Sequence, residues 1–299
     1  MQVQQPVETV VYHMGPVLTL DVGIYIIWYG NWVQWKQSVL IDFLSSISSP
    51  SPIGVQQQQQ QPSVEQWWRT VTAYQDQTGH GVTGNVKVAG QTKDPAYSHG
   101  KSFTQLNVQS IIRSALIPNG GLLPVDTGGV YVVLTADDVD MQDFCSSACG
   151  FHYFTYTSIV GYTLPFVWVG NSDKMCPGTC AYPFAVPSYM QGSVPALKAP
   201  NGDVGVDGMV SVLGHELAET FSNPFINAWY AGQDPSNPTE IADLCEGVFG
   251  PGAGGGYPGW ILKANNGVSY NMNGFRGRRF LVQWLWSYKF NACSGPSMY

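Results

Sequence analysis

Charged side chains and long apolar runs are both scarce in this sequence. Asp, Glu, Lys and Arg make up 11% of the 299 residues, and 20 acidic residues against 13 basic ones give a formal net charge of -7. Nucleic acids and anionic membrane surfaces are recognised by clusters of basic residues, so this balance argues against both as partners. The most apolar stretch, residues 17–30, is interrupted by Asp21 and Gly23 and is too short to cross a bilayer. We therefore predict no transmembrane segment.

Several catalytic and targeting signatures are also missing. The sequence has no G-x-S-x-G nucleophile motif and no glycine-rich phosphate-binding motif. Its opening, MQVQQPVETV, has neither the basic nor the apolar stretch of a signal peptide. Hydrophobic residues make up 44% of the chain, and aromatic residues 13%, which is the composition of a folded protein with a sizeable core.

The cysteines indicate an oxidised protein. The chain has six of them, at positions 145, 149, 176, 180, 245 and 293. An even number suits a secreted, disulfide-bonded chain, although six cysteines allow many pairings. The alternative is a thiolate metal site, but the C-x3-C spacing is less typical of zinc than C-x2-C, and no histidine pair accompanies it. We predict the disulfides Cys145–Cys149, Cys176–Cys180 and Cys245–Cys293.

The hydrophobic pattern changes repeatedly between strand and helix periods, which predicts an α/β fold. The predicted strands are 16–30, 85–94, 128–139 and 162–172, the predicted helices are 32–47, 64–79 and 102–116, and a last strand-like run is 279–290. Residues 48–63 are rich in Pro, Ser and Gln and are predicted to form a mobile loop. Because no repeat or domain boundary is evident, we predict a single domain over residues 1–299 with a mixed β-sheet.

One predicted helix carries a motif with metal chemistry. The segment GHELAETF begins like the H-E-x-x-H helix of zinc hydrolases, with Glu219 where the second histidine is expected. His215 and Glu219 are four residues apart and lie on one helix face, where they can hold one metal ion. Glu216 occupies the position of the general base that activates water in such enzymes. The alternative is a His–Glu pair that only stabilises the helix. We expect the helix to begin at Asp207 and to stop at Pro224.

Acidic residues downstream favour the metal interpretation. The segment PTEIADLCEG holds Glu240 and Asp243, which are candidate carboxylate ligands, and Cys245 ties the segment down. A His/Glu/Asp set leaves an open position for water, as a catalytic zinc site requires. The same set is rich in oxygen, so calcium is the alternative ion.

Two further segments have weaker signals. His152, in CGFHYF, is a candidate metal ligand or a group that polarises a substrate carbonyl, and the alternative is a buried, hydrogen-bonded histidine. The segment NGDVGVDG places Asn201, Asp203 and Asp207 like the first half of a calcium loop. Val212 stands where such a loop needs its final glutamate, so we interpret the segment as a loop followed by a helix cap.

Blocks of this sequence resemble a known family. They are IWYGNW, WVGNSDKMCPGTCAYPF, NGDVGVDGMVSVLG, NPFINAWYAG and GVSYNMNGFRGRRFLV. Together they resemble the phosphate-induced protein 1 family, which comprises the plant EXORDIUM group and its algal, fungal and bacterial relatives. The resemblance covers roughly residues 12–295 and includes the cysteines. It implies a secreted protein of the apoplast or cell surface, linked in plants to cell expansion and growth signalling, and it implies no established reaction.

These observations lead to two functional hypotheses. The first is a secreted cell-surface or cell-wall protein with a divalent metal site, zinc or calcium, and an extracellular protein or matrix component as partner. The second is a zinc-dependent, peptidase-like hydrolase. Both place a zincin-like helix across the mixed sheet, under long loops tied by disulfides. The predicted site consists of Glu216 and His152 as catalytic residues and His215, Glu219, Glu240 and Asp243 as metal ligands.

Overall fold

A five-stranded mixed sheet forms the centre of the computed structural model, which describes residues 9–48, 61–192, 194–235 and 238–296. Its strands are β1 (Val22–Tyr29), β2 (Val86–Asp94), β3 (Val130–Thr135), β4 (Gly150–Phe154) and β5 (Pro165–Gly170). They lie in the order β2-β1-β3-β5-β4. All neighbours are parallel except β4, which runs antiparallel to β5 at one edge. The predicted α/β class with a mixed sheet is confirmed.

Six α-helices are described around this sheet. They are α1 (Gln34–Ile47), α2 (Val64–Trp68), α3 (Gln105–Ala115), α4 (Thr157–Val160), α5 (Pro177–Cys180) and α6 (Val204–Ser222). Short 3-10 turns are Val71–Ala73, Ile117–Asn119, Ser188–Met190, Asp243–Cys245 and Phe275–Gly277. Short strands outside the sheet are Val11–Tyr12, Ser102–Phe103, Asp140–Met141, Trp229–Tyr230, Leu262–Lys263, Ser269–Tyr270, Met272–Asn273, Arg279–Phe280, Leu285–Ser287 and Ala292–Ser294. None of the helices described is long and apolar enough to span a membrane.

Both faces of the sheet are covered, which explains why its strands read as continuous apolar runs. On β1, Ile24 and Ile26 face a core that they share with α1, α2 and α6. Tyr25 and Ile27 alternate with them and face a second core on the side of α3. The long helix α6 is therefore held against the sheet by buried side chains along its length, and its remaining face is available for a site.

Several predicted boundaries are wrong, and local hydrogen bonding accounts for one of them. The helix expected over 64–79 ends at Trp68 and continues only as a 3-10 turn. Asp76 accepts hydrogen bonds from the backbone of Thr78 and His80, so this segment forms a turn instead of continuing the helix. The strand expected over 16–30 is β1 alone, and the run 279–290 is divided into two short strands. Most of the predicted mobile loop, 49–60, lies outside the described residues.

The start of α6 also differs from the prediction. The helix begins at Val204, and its N-cap is Asp203, whose side chain accepts the N–H of Val206 at 2.9 Å. Asp207 instead lies buried in the first turn, where it accepts hydrogen bonds from Asn201. The predicted cap was wrong because both aspartates precede apolar helical positions and either can cap. The interpretation of NGDVGVDG as a loop and helix cap is otherwise confirmed.

Two of the three predicted disulfide pairs are wrong. The observed bonds are Cys145–Cys176, Cys149–Cys180 and Cys245–Cys293. Only the last was predicted. Cys176 and Cys180 stand on one side of the short helix α5, with their sulfur atoms 3.8 Å apart. The segment containing Cys145 and Cys149 lies beside this helix, so two crosslinks tie one loop to the other instead of closing each loop on itself.

Candidate metal centre

The helix α6 presents the HELAE motif toward the sheet edge formed by β4. Leu213 and Leu217 are buried in the core and fix the rotation of the helix. On the side facing β4, the helix comes unusually close to Gly150. A Cβ atom there would lie 2.7 Å from Cγ1 of Val212 and 3.0 Å from Cγ of Glu216. Glycine at this position is therefore required for the helix to sit this close to the strand.

One group of metal-ligating atoms forms around His215. Its Nε2 lies 3.3 Å from Oε1 of Glu219 and 3.3 Å from Oδ1 of Asp243. The three donor atoms lie within 4.8 Å of one another. Glu219 comes from the next turn of α6, while Asp243 opens the 3-10 turn that follows segment 238–242. The structure thus brings three of the four predicted ligands together.

A second group surrounds His152, which β4 carries into the interior. Its Nδ1 lies 3.4 Å from Oε2 of Glu216 and 3.6 Å from Oε2 of Glu219, and its Nε2 lies 3.4 Å from Oε2 of Glu240. The His152 side chain is only 5% exposed, and Nε2 makes no hydrogen bond within the described part of the chain. Glu240, the fourth predicted ligand, therefore faces His152 and not His215.

Hydrogen bonds hold the carboxylates of both groups in place. Oε1 of Glu219 accepts the backbone N–H groups of Ala242 and Asp243, both at 3.2 Å, which fastens the acidic segment to α6. Asn223 donates to Oε1 of Glu240 at 2.6 Å. Asn223 was missed from the sequence. Its only signal was its place before a proline at the helix end, which is typical of a cap and not of a site.

The electrostatics follow from packing several acids around two histidines. Burial raises the pKa of Glu219 to about 8, although His215 acts in the opposite direction. Burial alone would lower the pKa of His215, but the charge of Glu219 and the contact with Asp243 hold it well above its ordinary value. For His152, the same penalty of burial is outweighed by the charge of Glu240 and by Glu216, so its pKa is also well above normal. The site attracts positive charge, which protons supply in the absence of a metal ion.

Two clefts meet at this centre. One, of about 590 Å³, lies on the side of the disulfide-tied loops and of the glycine-rich segment 254–256. The other, of about 730 Å³, runs on the side of α3 and includes Tyr153 and Tyr156. Both clefts are lined by Gly150, His215, Glu216 and Asp243. The centre is therefore accessible from both sides, even though Glu216 and Glu219 are themselves buried.

Comparison with known proteins places the chain in a family. A family model described as the phosphate-induced protein 1 conserved region matches residues 10–296. This chain belongs to that family. It is 54% identical to "Protein EXORDIUM-like 3" of Arabidopsis thaliana over 287 residues, covering 96% of this chain and 82% of that protein. "Protein EXORDIUM-like 5" of the same plant is also 54% identical, over 292 residues, covering 96% of this chain and 77% of that protein.

A more distant relative is "Protein PHOSPHATE-INDUCED 1" of Nicotiana tabacum, which is 35% identical over 297 residues, covering 98% of this chain and 90% of that protein. The resemblance inferred from sequence blocks is thus confirmed for the phosphate-induced protein 1 family. No solved structure matches the chain. The comparison of α6 with a zincin helix therefore has no related structure to support it.

Proposed function

We propose that this member of the phosphate-induced protein 1 family is an extracellular, zinc-dependent hydrolase of peptide bonds. The three disulfides support an extracellular location, because disulfides persist in oxidising compartments. In this proposal His215, Glu219 and Asp243 hold one zinc ion, and Glu216 is the general base.

The observation that carries the proposal is the spacing of the three donor atoms. Tetrahedral zinc with ligand bonds of about 2.0–2.1 Å places its ligand atoms roughly 3.4 Å apart. The distances from Nε2 of His215 to the carboxylate oxygens of Glu219 and Asp243 are both 3.3 Å. These two distances match that spacing, and the third pair of donor atoms, on Glu219 and Asp243, lies within 4.8 Å. Three protein ligands also leave a position toward the clefts, as a catalytic site requires.

Glu216 is placed to handle the proton of the reaction. It adjoins His215 in the chain and lines both clefts beside the proposed ion. As water adds to the scissile carbonyl carbon, Glu216 takes a proton from the water oxygen. It returns this proton to the leaving nitrogen when the carbon–nitrogen bond breaks. A zinc ion held by His215, Glu219 and Asp243 would supply a Lewis acid for the negative charge that develops on the carbonyl oxygen.

In this proposal His152 does not polarise the substrate carbonyl, which was one of the roles predicted from the sequence. It is almost fully buried, and its two ring nitrogens face Glu216 and Glu240. This arrangement suits a positioning residue that holds the general base, with Glu240 and Asn223 behind it. His152→Gln should leave zinc binding near normal and lower kcat more than it changes KM.

A second candidate function follows from the oxygen-rich donor set. Two of the three donors around His215 are carboxylates, and the Asp243 side chain is 39% exposed. An accessible set of carboxylates also suits calcium. In this alternative the ion fixes the acidic segment to α6, and the protein acts by binding an extracellular protein or a cell-wall component.

Metal content and a single matched pair of variants separate the two candidates. Zinc and calcium are measured per chain after dialysis, with cleavage of unfolded casein as the activity. Under the hydrolase proposal, the protein retains about one zinc, His215→Ala loses both zinc and activity, and Glu216→Gln keeps zinc but loses roughly 100-fold or more in rate. Calcium retention without cleavage of casein would support the binding protein instead. Absence of both ions at saturating concentrations would reject the metal centre.

A further inference from the structure

The edge strand β4 has hydrogen-bonding groups that point away from the sheet. In its pairing with β5, the N–H of Thr155 donates to the carbonyl of Leu164, and the N–H of Gly170 donates to the carbonyl of Cys149. Backbone groups of an antiparallel strand alternate between the two sides, so odd-numbered residues here face β5. The N–H and C=O groups of Gly150, His152 and Phe154 therefore point outward. Within the described residues, β5 is the only strand that pairs with β4.

This outward edge runs along the candidate site. Gly150 lines both clefts, and His152 and Tyr153 continue along the wall of the larger one. The side chain of His152 meanwhile turns toward Glu216 on α6. A chain lying along the edge would therefore pass the proposed general base with parts of it in each cleft.

The charge of the clefts restricts what can lie there. Among the described residues, no lysine or arginine lines either cleft, whereas Glu216, Asp243 and Glu246 line the one beside the disulfides. An anionic polymer such as an acidic polysaccharide would find no lysine or arginine to pair with here, and it would approach the exposed carboxylates of Asp243 and Glu246. A polypeptide supplies what the edge lacks, because its N–H and C=O groups repeat at the same two-residue interval.

We infer that the substrate is an extended, uncharged or basic peptide segment that pairs with the outer edge of β4 and continues into both clefts. This inference rests on the proposed hydrolase function and adds a substrate class to it. Since residues are bound on both sides of the reacting bond, the protein cleaves within chains and not at their ends.

The test uses the peptide of unfolded casein that the zinc-loaded protein cleaves fastest, made synthetically with single N-methyl groups along its backbone. N-methylation removes one donor and crowds the strand at that position. The expected result alternates: kcat/KM falls tenfold or more at every second residue and less than threefold between them. Equal losses at neighbouring positions would overturn the strand pairing. Products that are single residues or dipeptides would overturn cleavage within chains.

A binding measurement separates this inference from the proposed reaction. Amide exchange of Gly150, His152 and Phe154 is followed in zinc-loaded Glu216→Gln with a mixed decapeptide library, and separately with neutral cell-wall oligosaccharides. Protection by peptides supports the inference, even if the wild-type protein cleaves nothing and the hydrolase proposal fails. Protection by oligosaccharides alone, or by neither probe, overturns it.

A matched pair of variants tests the edge itself. Phe154→Pro removes an outward N–H without removing a bond to β5, while Phe154→Ala keeps that N–H and removes the same ring. Protection of the Gly150 and His152 amides by the peptide library should be at least fivefold weaker in Phe154→Pro than in Phe154→Ala. The zinc content of the two variants should be equal. Equal protection would contradict the pairing, and the N-methyl series still decides the question if the proline variant does not fold.

Discussion

Glu219→Gln should change stability in opposite directions with and without zinc. Glu219 is buried, and its pKa is raised from 4.5 to about 8 in the folded protein. Such a group contributes stability below pH 4.5 that is lost as the pH rises toward 8, because the folded state must keep a proton that the unfolded state releases. At pH 7, which is roughly 2.5 pH units above the pKa of the unfolded state, keeping this proton lowers the free energy of unfolding by about 3 kcal/mol, at 1.36 kcal/mol per pH unit. The glutamine side chain of the variant avoids that cost, and its oxygen can still accept the N–H groups of Ala242 and Asp243.

With zinc bound, the wild-type protein should instead be more stable than Glu219→Gln. At about 1,000 times its Kd, a ligand that binds only the folded state stabilises it by about 4 kcal/mol. The wild-type protein gains this amount, while the variant has lost one of three ligands and gains little. In urea unfolding of the chelated protein at pH 7, the variant should therefore be more stable than the wild type, by at most about 3 kcal/mol because His215 loses its interaction with Glu219. This difference should narrow to at most about 1 kcal/mol at pH 5.

The control for this experiment is Glu246→Gln, which changes an exposed carboxylate. It should stay within about 0.5 kcal/mol of wild type under all these conditions. Lower stability of chelated Glu219→Gln than of wild type at pH 7, or equal stabilisation of both proteins by zinc, would contradict this role of Glu219.

Three other predictions concern the parts of the fold around the site. Removing one crosslink with Cys149→Ser and Cys180→Ser should cost about 2–3 kcal/mol in urea unfolding, because with Cys145–Cys176 intact the second bond closes only a small ring through segments 145–149 and 176–180; peptide mapping of the unreduced wild-type protein should recover Cys149–Cys180 and not the pairs within each loop. Burial raises the pKa of Asp207 from 3.8 to about 6, so the stability present below pH 3.8 is lost as the pH rises through 6. The free energy of unfolding of Asp207→Asn, measured relative to that of the wild type, should therefore increase by about 2 kcal/mol between pH 4 and pH 7. A difference between the two proteins that does not change with pH would contradict this. Gly150→Ala should cost about 1–3 kcal/mol and weaken zinc binding, because the added Cβ meets Val212 and Glu216; unchanged thermal unfolding and zinc titration would show that the close approach is unimportant.

The sequence was most informative where one helix or strand carries the pattern. His215 and Glu219 share a face because helical spacing demands it, and β1 was recognisable because burial on both faces leaves a continuous apolar run. The side chains that contact these residues come from other segments of the chain. That Asp243 approaches His215 while Glu240 approaches His152 depends on how one irregular segment folds over α6, which no local pattern specifies.

The same limit explains the errors. Cys145–Cys149 and Cys176–Cys180 were expected from their closeness in sequence, but their partners were decided by two loops lying side by side. The role of Gly150 depends on the approach of a helix much further along the chain, so it has no signal in its neighbours. Its contacts with Val212 and Glu216 appear only once strand and helix are placed together.

Diffraction data collected on either side of the zinc absorption edge, from crystals grown with zinc, would show whether His215, Glu219 and Asp243 bind zinc. We expect one anomalous peak at bonding distance from Nε2 of His215 and from carboxylate oxygens of Glu219 and Asp243, and no peak there in His215→Ala crystals. A peak elsewhere, or no peak at saturating zinc, would contradict it.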